Sequence, residues 1–220
     1  MTQNRSIPIF FLLMLAASAA FGQSRIAVKQ LDLADIPKEI TYEGAIKKAV
    51  RWIDGLGDNI VILTETGIYQ NEKFKHENDG GDAELFAYHF IVKEGSASLA
   101  WRVYDYISDC PVDIEAQFIN GTFQVTDINN DGIGEIWMMY RTVCHGDVSP
   151  SNMKIIMYQG QQKFALRGYS KVVIGIDKKG IKHYEGGDYK HDQAFAEGPK
   201  EFLAFAKKLW KENIMQKWGE

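Results

Sequence analysis

The sequence predicts an α+β protein, with a mainly antiparallel β-sheet and a C-terminal amphipathic helix packed on it. Short segments rich in aromatic and β-branched residues recur between residues 60 and 176, separated by turn residues, and such segments are typical of strands. Apolar residues at helical spacing follow between residues 202 and 214. Strands followed by one helix favour a sheet with the helix covering one of its faces.

Residues 1–22 are predicted to be a secretory signal peptide. Arg5 precedes a continuous apolar segment over residues 7–17, which small residues follow, and signal peptides have this order. Cleavage fits after Ala19 or Gly22; we favour Gly22, which leaves 23–220 as a single β-rich domain. An uncleaved anchor is the alternative, but spanning a bilayer takes roughly 20 apolar residues. We expect an exported protein, periplasmic or extracellular, that spans no membrane after cleavage.

The first part of the mature chain has one ambiguous element. Residues 23–41 are predicted to be irregular. Residues 45–53 place apolar side chains on one helical face, yet they also alternate as a half-buried strand does, and we favour the strand. The turn residues at 54–59 then lead into a clear strand at 60–63.

The middle of the chain is predicted to supply most of the sheet. Residues 85–92 and 99–107 form one hairpin, because the turn residues Gly95 and Ser96 lie between them. Residues 118–119 and 122–126 flank Asn120-Gly121, a dipeptide typical of a type I′ turn.

Further strands follow. Residues 136–143 are apolar on both alternating faces, which indicates a central strand. Residues 153–158 and 164–167 are predicted to pair across a turn at 160–162, and residues 172–176 form the last strand.

The predicted C-terminal helix begins near Pro199, which we expect at the first helical position. Its core-facing residues recur every three or four positions: Phe202, Leu203, Ala206, Leu209, Trp210 and Ile214. Lysines occupy the opposite side, so the helix is amphipathic.

Composition excludes several classes of protein. Hydrophobic residues make up 45% of the 220 residues and charged residues 25%, as in globular domains. The net charge is −4 and no run of Lys or Arg exceeds two, so we expect no nucleic acid among the partners.

The chain has two cysteines, Cys110 and Cys144. In an exported protein a single pair predicts one disulfide. A reactive thiol is the alternative.

The most specific motif is an Asp-rich loop over residues 127–135. Its spacing follows the first nine positions of a calcium loop. The oxygen ligands would be the side chains of Asp127, Asn129, Asp131 and Glu135 and the carbonyl group of Ile133. The twelfth position is Met138 and the flanks are predicted strands, so the loop is not an EF-hand. A turn without metal is the alternative, because Asn, Asp and Gly form turns unaided.

Three other groups of residues suggest chemistry less specifically. His145, Asp147 and Ser149 lie too far apart on an extended segment for a catalytic triad, so we expect a polar loop, or an added cation ligand from Asp147. Four acids could serve hydrolysis if two of them met in a cleft: Asp105, Asp109, Asp113 and Glu115. Four tryptophans lie in apolar patterns, which indicates core packing: Trp52, Trp101, Trp137 and Trp210.

Five segments in succession resemble a family of small exported bacterial proteins that is labelled surface polysaccharide biosynthesis protein. They are residues 101–105, 109–113, 125–132, 144–150 and 164–168. The resemblance covers roughly residues 42–210. It implies a connection with lipopolysaccharide or another cell-surface glycan of Gram-negative bacteria, and it carries no catalytic residue over to this chain.

Two classes of function follow from these observations. The first is an exported, non-catalytic protein of surface polysaccharide biosynthesis or assembly, with the glycan or its assembly machinery as partner and calcium as cofactor. The second is a glycan-modifying, hydrolase-like enzyme that uses separated carboxylates. A cleft with convergent carboxylates distinguishes the second class from the first.

Overall fold

The computed structural model describes residues 26–216 and confirms the predicted fold class. The predicted signal peptide, residues 1–22, lies outside the described residues. Two antiparallel sheets pack face to face, and the C-terminal helix covers the outer face of the second sheet. The first sheet has the order β1-β2-β3-β4-β5 and consists of Lys29–Gln30, Ala45–Asp54, Gly57–Tyr69, Gly81–Lys93 and Ser96–Cys110.

The second sheet has the order β13-β10-β9-β8-β6, and β7 also pairs with β8. Its strands are β6 Asp113–Phe118, β7 Gln124–Thr126, β8 Glu135–His145, β9 Asn152–Gln159, β10 Gln162–Tyr169 and β13 Tyr189–His191. A separate two-stranded hairpin joins β11, Lys171–Ile176, to β12, Lys182–Gly186. The helices are α1, Gln193–Glu197, and α2, Lys200–Asn213.

Most predicted strands are present with the predicted partners. The ambiguous segment 45–53 is strand β2, paired with β3 from Asp54 opposite Gly57 onward. It is a strand because Val50 and Trp52 face the core between the sheets while Ala49 packs on the outer face. The hairpins β4–β5 and β9–β10 form as expected, and β8 lies inside its sheet between β9 and β6.

The segments around Asn120-Gly121 differ from a hairpin. A turn forms there and Gly121 has a φ of 77°, but β6 and β7 do not pair with each other. Both pair with one edge of β8, Phe118 opposite Tyr140 and Gln124 opposite Trp137. The long strand β8 can bind both segments, so the turn interrupts one edge strand.

Three smaller differences concern the lead and the helices. The lead, predicted to be irregular, contains the short strand β1 and a 3-10 turn at Leu33–Asp35. Pro199 is the N-cap residue of α2 and not its first helical residue. The short helix α1 has no counterpart among the predicted elements.

The core has three layers. Side chains of both sheets, with Trp52 and Trp101 among them, fill the space between the sheets. Trp137 of β8 and Trp210 of α2 pack in the layer between the second sheet and the helix. The lead covers part of the outer face of the first sheet. All four tryptophans are buried, which confirms their prediction as core residues.

Candidate functional site

The two cysteines form the predicted disulfide. Cys110 ends β5 in the first sheet and Cys144 lies near the end of β8 in the second, with their Cα atoms 5.8 Å apart. The bridge therefore links the two sheets, and its loop encloses the Asp-rich segment 127–135. No free cysteine is present among residues 26–216.

The Asp-rich loop is tightly folded on its own backbone. The Asp127 carboxylate accepts a hydrogen bond from the Gly132 amide at 3.3 Å, and Asp131 accepts one from the Ile133 amide at 2.9 Å. The Asn129 side chain donates to Asp131 at 2.8 Å. These hydrogen bonds hold the side chains of Asp127, Asn129 and Asp131 within one small loop.

Glu135 differs from the other predicted ligands because it is fully buried. Its carboxylate accepts hydrogen bonds from the Thr126 hydroxyl at 2.6 Å and from the Ile128 amide at 2.9 Å. Burial raises the pKa of Glu135, and the nearby charge of Asp127 raises it further. Glu135 therefore braces the base of the loop. Residues 26–216 contain no group of three His, Cys, Asp or Glu side chains arranged to hold a metal ion.

The β2–β3 turn holds the Asp-rich loop from outside. Asp54 accepts hydrogen bonds from the Gly134 amide at 2.9 Å and from the Trp52 indole at 2.8 Å. The Gly55 amide donates to the Gly132 carbonyl at 2.7 Å. The loop is consequently fixed to the first sheet, although it belongs to the second.

The residues His145, Asp147 and Ser149 come together in a local turn, closer than an extended segment allows. The Ser149 hydroxyl donates to Asp147 at 2.5 Å and lies 3.2 Å from the His145 ring. In a catalytic triad the histidine lies between serine and acid, whereas here the serine lies between histidine and acid. The hydroxyl proton is engaged by Asp147, so the arrangement does not activate a nucleophile.

The four acids considered for hydrolysis each have different surroundings. Asp105 forms an ion pair with Lys154, and Asp109 accepts hydrogen bonds from the amides of residues 77, 78 and 80. Glu115 accepts a hydrogen bond from the Gln216 side chain at 3.1 Å, and Asp113 is exposed at the start of β6. The structure thus places them in separate environments.

The outer face of the first sheet carries a ladder of stacked aromatic rings, beside the part that the lead covers. Along it, ring centroids are 4.9 Å apart for Phe86 and Tyr104, 5.4 Å for Tyr104 and Tyr106, and 4.8 Å for Tyr106 and Phe74. Tyr104 is 39% exposed and Tyr106 is 44% exposed. These large flat rings thus face solvent on a rigid sheet.

A buried carboxylate lies beneath these rings. Glu84 is 2% exposed and accepts hydrogen bonds from the hydroxyls of Tyr104, at 2.6 Å, and Tyr69. The side-chain amide of Asn71 donates to it at 2.9 Å. Burial raises the pKa of Tyr104, and the hydrogen bond to Glu84 raises it further, so the phenol stays protonated and fixed in place. We call Tyr69, Phe74, Glu84, Tyr104 and Tyr106 the tyrosine face.

The loop between β3 and β4, which carries Phe74, is anchored at both ends. Asp82 is fully buried and accepts hydrogen bonds from the Asn71 amide at 2.6 Å and the His76 ring at 2.8 Å. At the other end Gly80 contacts β5 so closely that a Cβ atom there would lie 2.3 Å from the Asp109 carbonyl carbon. The tyrosine face is therefore preorganised.

A cleft adjoins the tyrosine face. Its volume is about 290 Å³, and Tyr42, Glu43, Tyr88, Leu99 and Arg102 line it with two further residues. The Arg102 guanidinium lies 5.7 Å from the centre of the Tyr104 ring. Exposed rings next to hydrogen-bond donors and acceptors can bind a ligand that is apolar on one face and carries hydroxyl groups around its edge.

The tyrosine face is not among the features predicted from the sequence, because the tyrosines of residues 99–107 serve there only as indicators of a strand. The signal was present in residues 101–106, where Trp101 and Val103 alternate with Arg102, Tyr104 and Tyr106. Trp101 and Val103 are buried on one face, whereas the other face exposes aromatic and charged side chains, and exposed patches of this kind mark interaction sites.

Comparison with known protein families, curated proteins and solved structures finds no match. Among residues 26–216, the helices are all too short or too polar to cross a membrane.

Proposed function

We propose that the protein is an exported, non-catalytic factor of cell-surface polysaccharide biosynthesis or assembly, and that its tyrosine face binds the glycan. The observation that carries the proposal is the pair of exposed, stacked rings of Tyr104 and Tyr106, of which Tyr104 is hydrogen-bonded to the buried carboxylate of Glu84. The face of an aromatic ring is partly negative and attracts the C–H groups on the face of a sugar ring. Arg102 supplies donors, and Glu43 an acceptor, for the sugar hydroxyls around the rings.

Three further features support export and the link to surface glycans. The signal-peptide pattern of residues 1–22 predicts export, and the Cys110–Cys144 disulfide fits an oxidising compartment. The five segments that resemble the surface polysaccharide family suggest the process. The geometry adds a surface that suits a saccharide.

A binding role agrees better with this surface than hydrolysis does. Glycoside hydrolysis uses two carboxyl groups on either side of the scissile bond. At the tyrosine face Glu84 is buried under the rings and accepts hydrogen bonds from two tyrosines and Asn71. We infer that Glu84 positions the rings and is not a catalytic acid.

We further propose that the Asp-rich loop binds calcium through Asp127, Asn129, Asp131 and the Ile133 carbonyl, with Glu135 at its base. The calcium-loop spacing of these residues and the tight fold of the loop support this proposal. Calcium would stabilise the loop that joins the second sheet to the β2–β3 turn. It takes no part in glycan binding at the opposite face of the first sheet.

The test is binding of the mature protein to an array of bacterial surface polysaccharides. Tyr106→Ala should weaken binding of any glycan that the wild type binds on the array at least tenfold. The exposed ring contributes contact area to the ligand without supporting the core. Tyr184→Ala is the matched control, since Tyr184 is a similarly exposed tyrosine on the separate hairpin. Its binding should equal that of the wild type.

Two outcomes would contradict the proposal. One is wild-type binding to none of the polysaccharides, and the other is equal binding by Tyr106→Ala and Tyr184→Ala. Release of new reducing ends from a bound glycan would favour the enzymatic alternative.

A further inference from the structure

Three cations lie side by side across three adjacent strands of the second sheet. Lys190 on β13 is directly opposite Arg167 on β10, and Arg167 is directly opposite Lys154 on β9. Paired residues of an antiparallel ladder project from the same face, with side chains roughly 5 Å apart. We call Lys154, Arg167 and Lys190 the cationic row. Like charges placed directly opposite each other destabilise a sheet, so the cationic row lowers the stability of the folded protein unless counter-charges neutralise it.

Within residues 26–216, the one ion pair of this row lies at its Lys154 end. Asp105 of the first sheet forms an ion pair with Lys154, which also lies 5.8 Å from the centre of the Tyr140 ring. Among residues 26–216, Arg167 and Lys190 have no ion-pair partner and their side chains make no hydrogen bond. Lys163 precedes Arg167 by four residues, an even number, and therefore projects from the same face of the strand. Its pKa is lowered by burial and by the charges of Arg167 and Lys154.

The row borders a cleft that is open to solvent. The cleft has a volume of about 350 Å³, and its lining includes all three cations together with Asn152, Tyr169 and Asp188. Asp188 is the one carboxylate in the lining, so positive charge exceeds negative charge there. Arg167, the central cation, is exposed and offers the planar donor fork that binds phosphate or carboxylate through two hydrogen bonds.

We propose that the cationic row is a binding site for an oxyanion, a phosphate or carboxylate group, held by Arg167 with Lys190 and Lys154 beside it. An anion bridging Arg167 and Lys190 would remove their mutual repulsion and satisfy the free guanidinium donors. The site belongs to the second sheet, whereas the tyrosine face belongs to the first. It does not depend on the proposed glycan-binding role, although an acidic saccharide could use both surfaces.

The experiment measures binding of four probes to the mature protein by calorimetry at low salt: inorganic phosphate, glucose 1-phosphate, glucuronate and glucose. The anionic probes should bind and glucose should not bind at this site. Comparison of phosphate with glucuronate shows which oxyanion is preferred. Arg167→Gln should weaken binding of the preferred anion at least tenfold, and Arg167→Lys should weaken it less. Lys207→Gln, a change at an exposed lysine of α2, is the control and should bind as the wild type does.

Thermal unfolding gives a second, independent readout. Without added anion at low salt, Arg167→Gln should unfold at a temperature equal to or above that of the wild type, because like-charge repulsion is relieved. The preferred anion should raise the unfolding temperature of the wild type and leave that of Arg167→Gln unchanged. The proposal is overturned if no anionic probe binds the wild type, or if Arg167→Gln and Lys207→Gln bind the anion equally. Loss of phosphate binding in Tyr106→Ala would also contradict a site separate from the tyrosine face.

Discussion

Removal of the Cys110–Cys144 bridge should lower the free energy of unfolding substantially. The two cysteines are 34 residues apart in sequence. In the chain-entropy model, closing a loop of that length restricts the unfolded chain by about 13 cal/mol/K, or roughly 4 kcal/mol at 25 °C. For a domain of this size, that loss corresponds to a fall in melting temperature of about 10 °C.

The folded state gives a reason to expect most of this effect. The bridge joins the ends of β5 and β8, which lie in different sheets, and Cys110 is 3% exposed. The neighbouring backbone is held independently, because Asp82 accepts a hydrogen bond from the Asp109 amide at 2.9 Å. The double variant Cys110→Ala/Cys144→Ala should therefore keep the native strand pairing. Its loss of stability should come mainly from the higher conformational entropy of the unfolded chain without the bridge.

The assay is urea unfolding followed by tryptophan fluorescence, with linear extrapolation to water. The oxidised wild type is compared with the double variant and with the wild type in reducing agent. The last two should agree with each other and lie about 4 kcal/mol below the first. A difference below about 1 kcal/mol would refute the entropic argument. Full alkylation of both cysteines in the unreduced, denatured protein would refute the bridge itself.

Two further predictions concern pH and calcium. Burial between Trp52 and Trp101 lowers the pKa of His89 to about 4, so the unfolded chain binds a proton that the folded one does not between about pH 6.5 and 4. The free energy of unfolding should therefore fall by about 2 kcal/mol from pH 7 to pH 5. Urea unfolding of His89→Phe should lack this contribution. An equal pH dependence of the wild type and His89→Phe would contradict the prediction. Millimolar calcium should raise the melting temperature by a few degrees, and magnesium should raise it less. The variant Asp131→Ala should show no response to calcium. Identical wild-type melting curves in calcium and in chelator would exclude the site.

Much of the secondary structure could be predicted because it depends on local patterns. Segments rich in aromatic and β-branched residues predicted the strands β4, β5, β8, β9 and β10, and helical spacing predicted α2. Two cysteines allow one intramolecular pairing, so the disulfide also followed from the chain. The Asp-rich motif indicated a tight loop, because Asp, Asn and Gly favour turns wherever the chain places them.

The tertiary structure alone decided which residues became neighbours across strands. Period-two alternation shows that Tyr104 and Arg167 share a face with their second neighbours, but it does not show which strand lies beside them. Glu84 reached Tyr69 and Tyr104, and Arg167 came between Lys154 and Lys190, only when the registers were set. Those registers result from the burial of both sheets against each other, a long-range effect. The sequence by itself therefore determined the longer strands, the C-terminal helix and the bridge, while packing between distant strands created the tyrosine face and the cationic row.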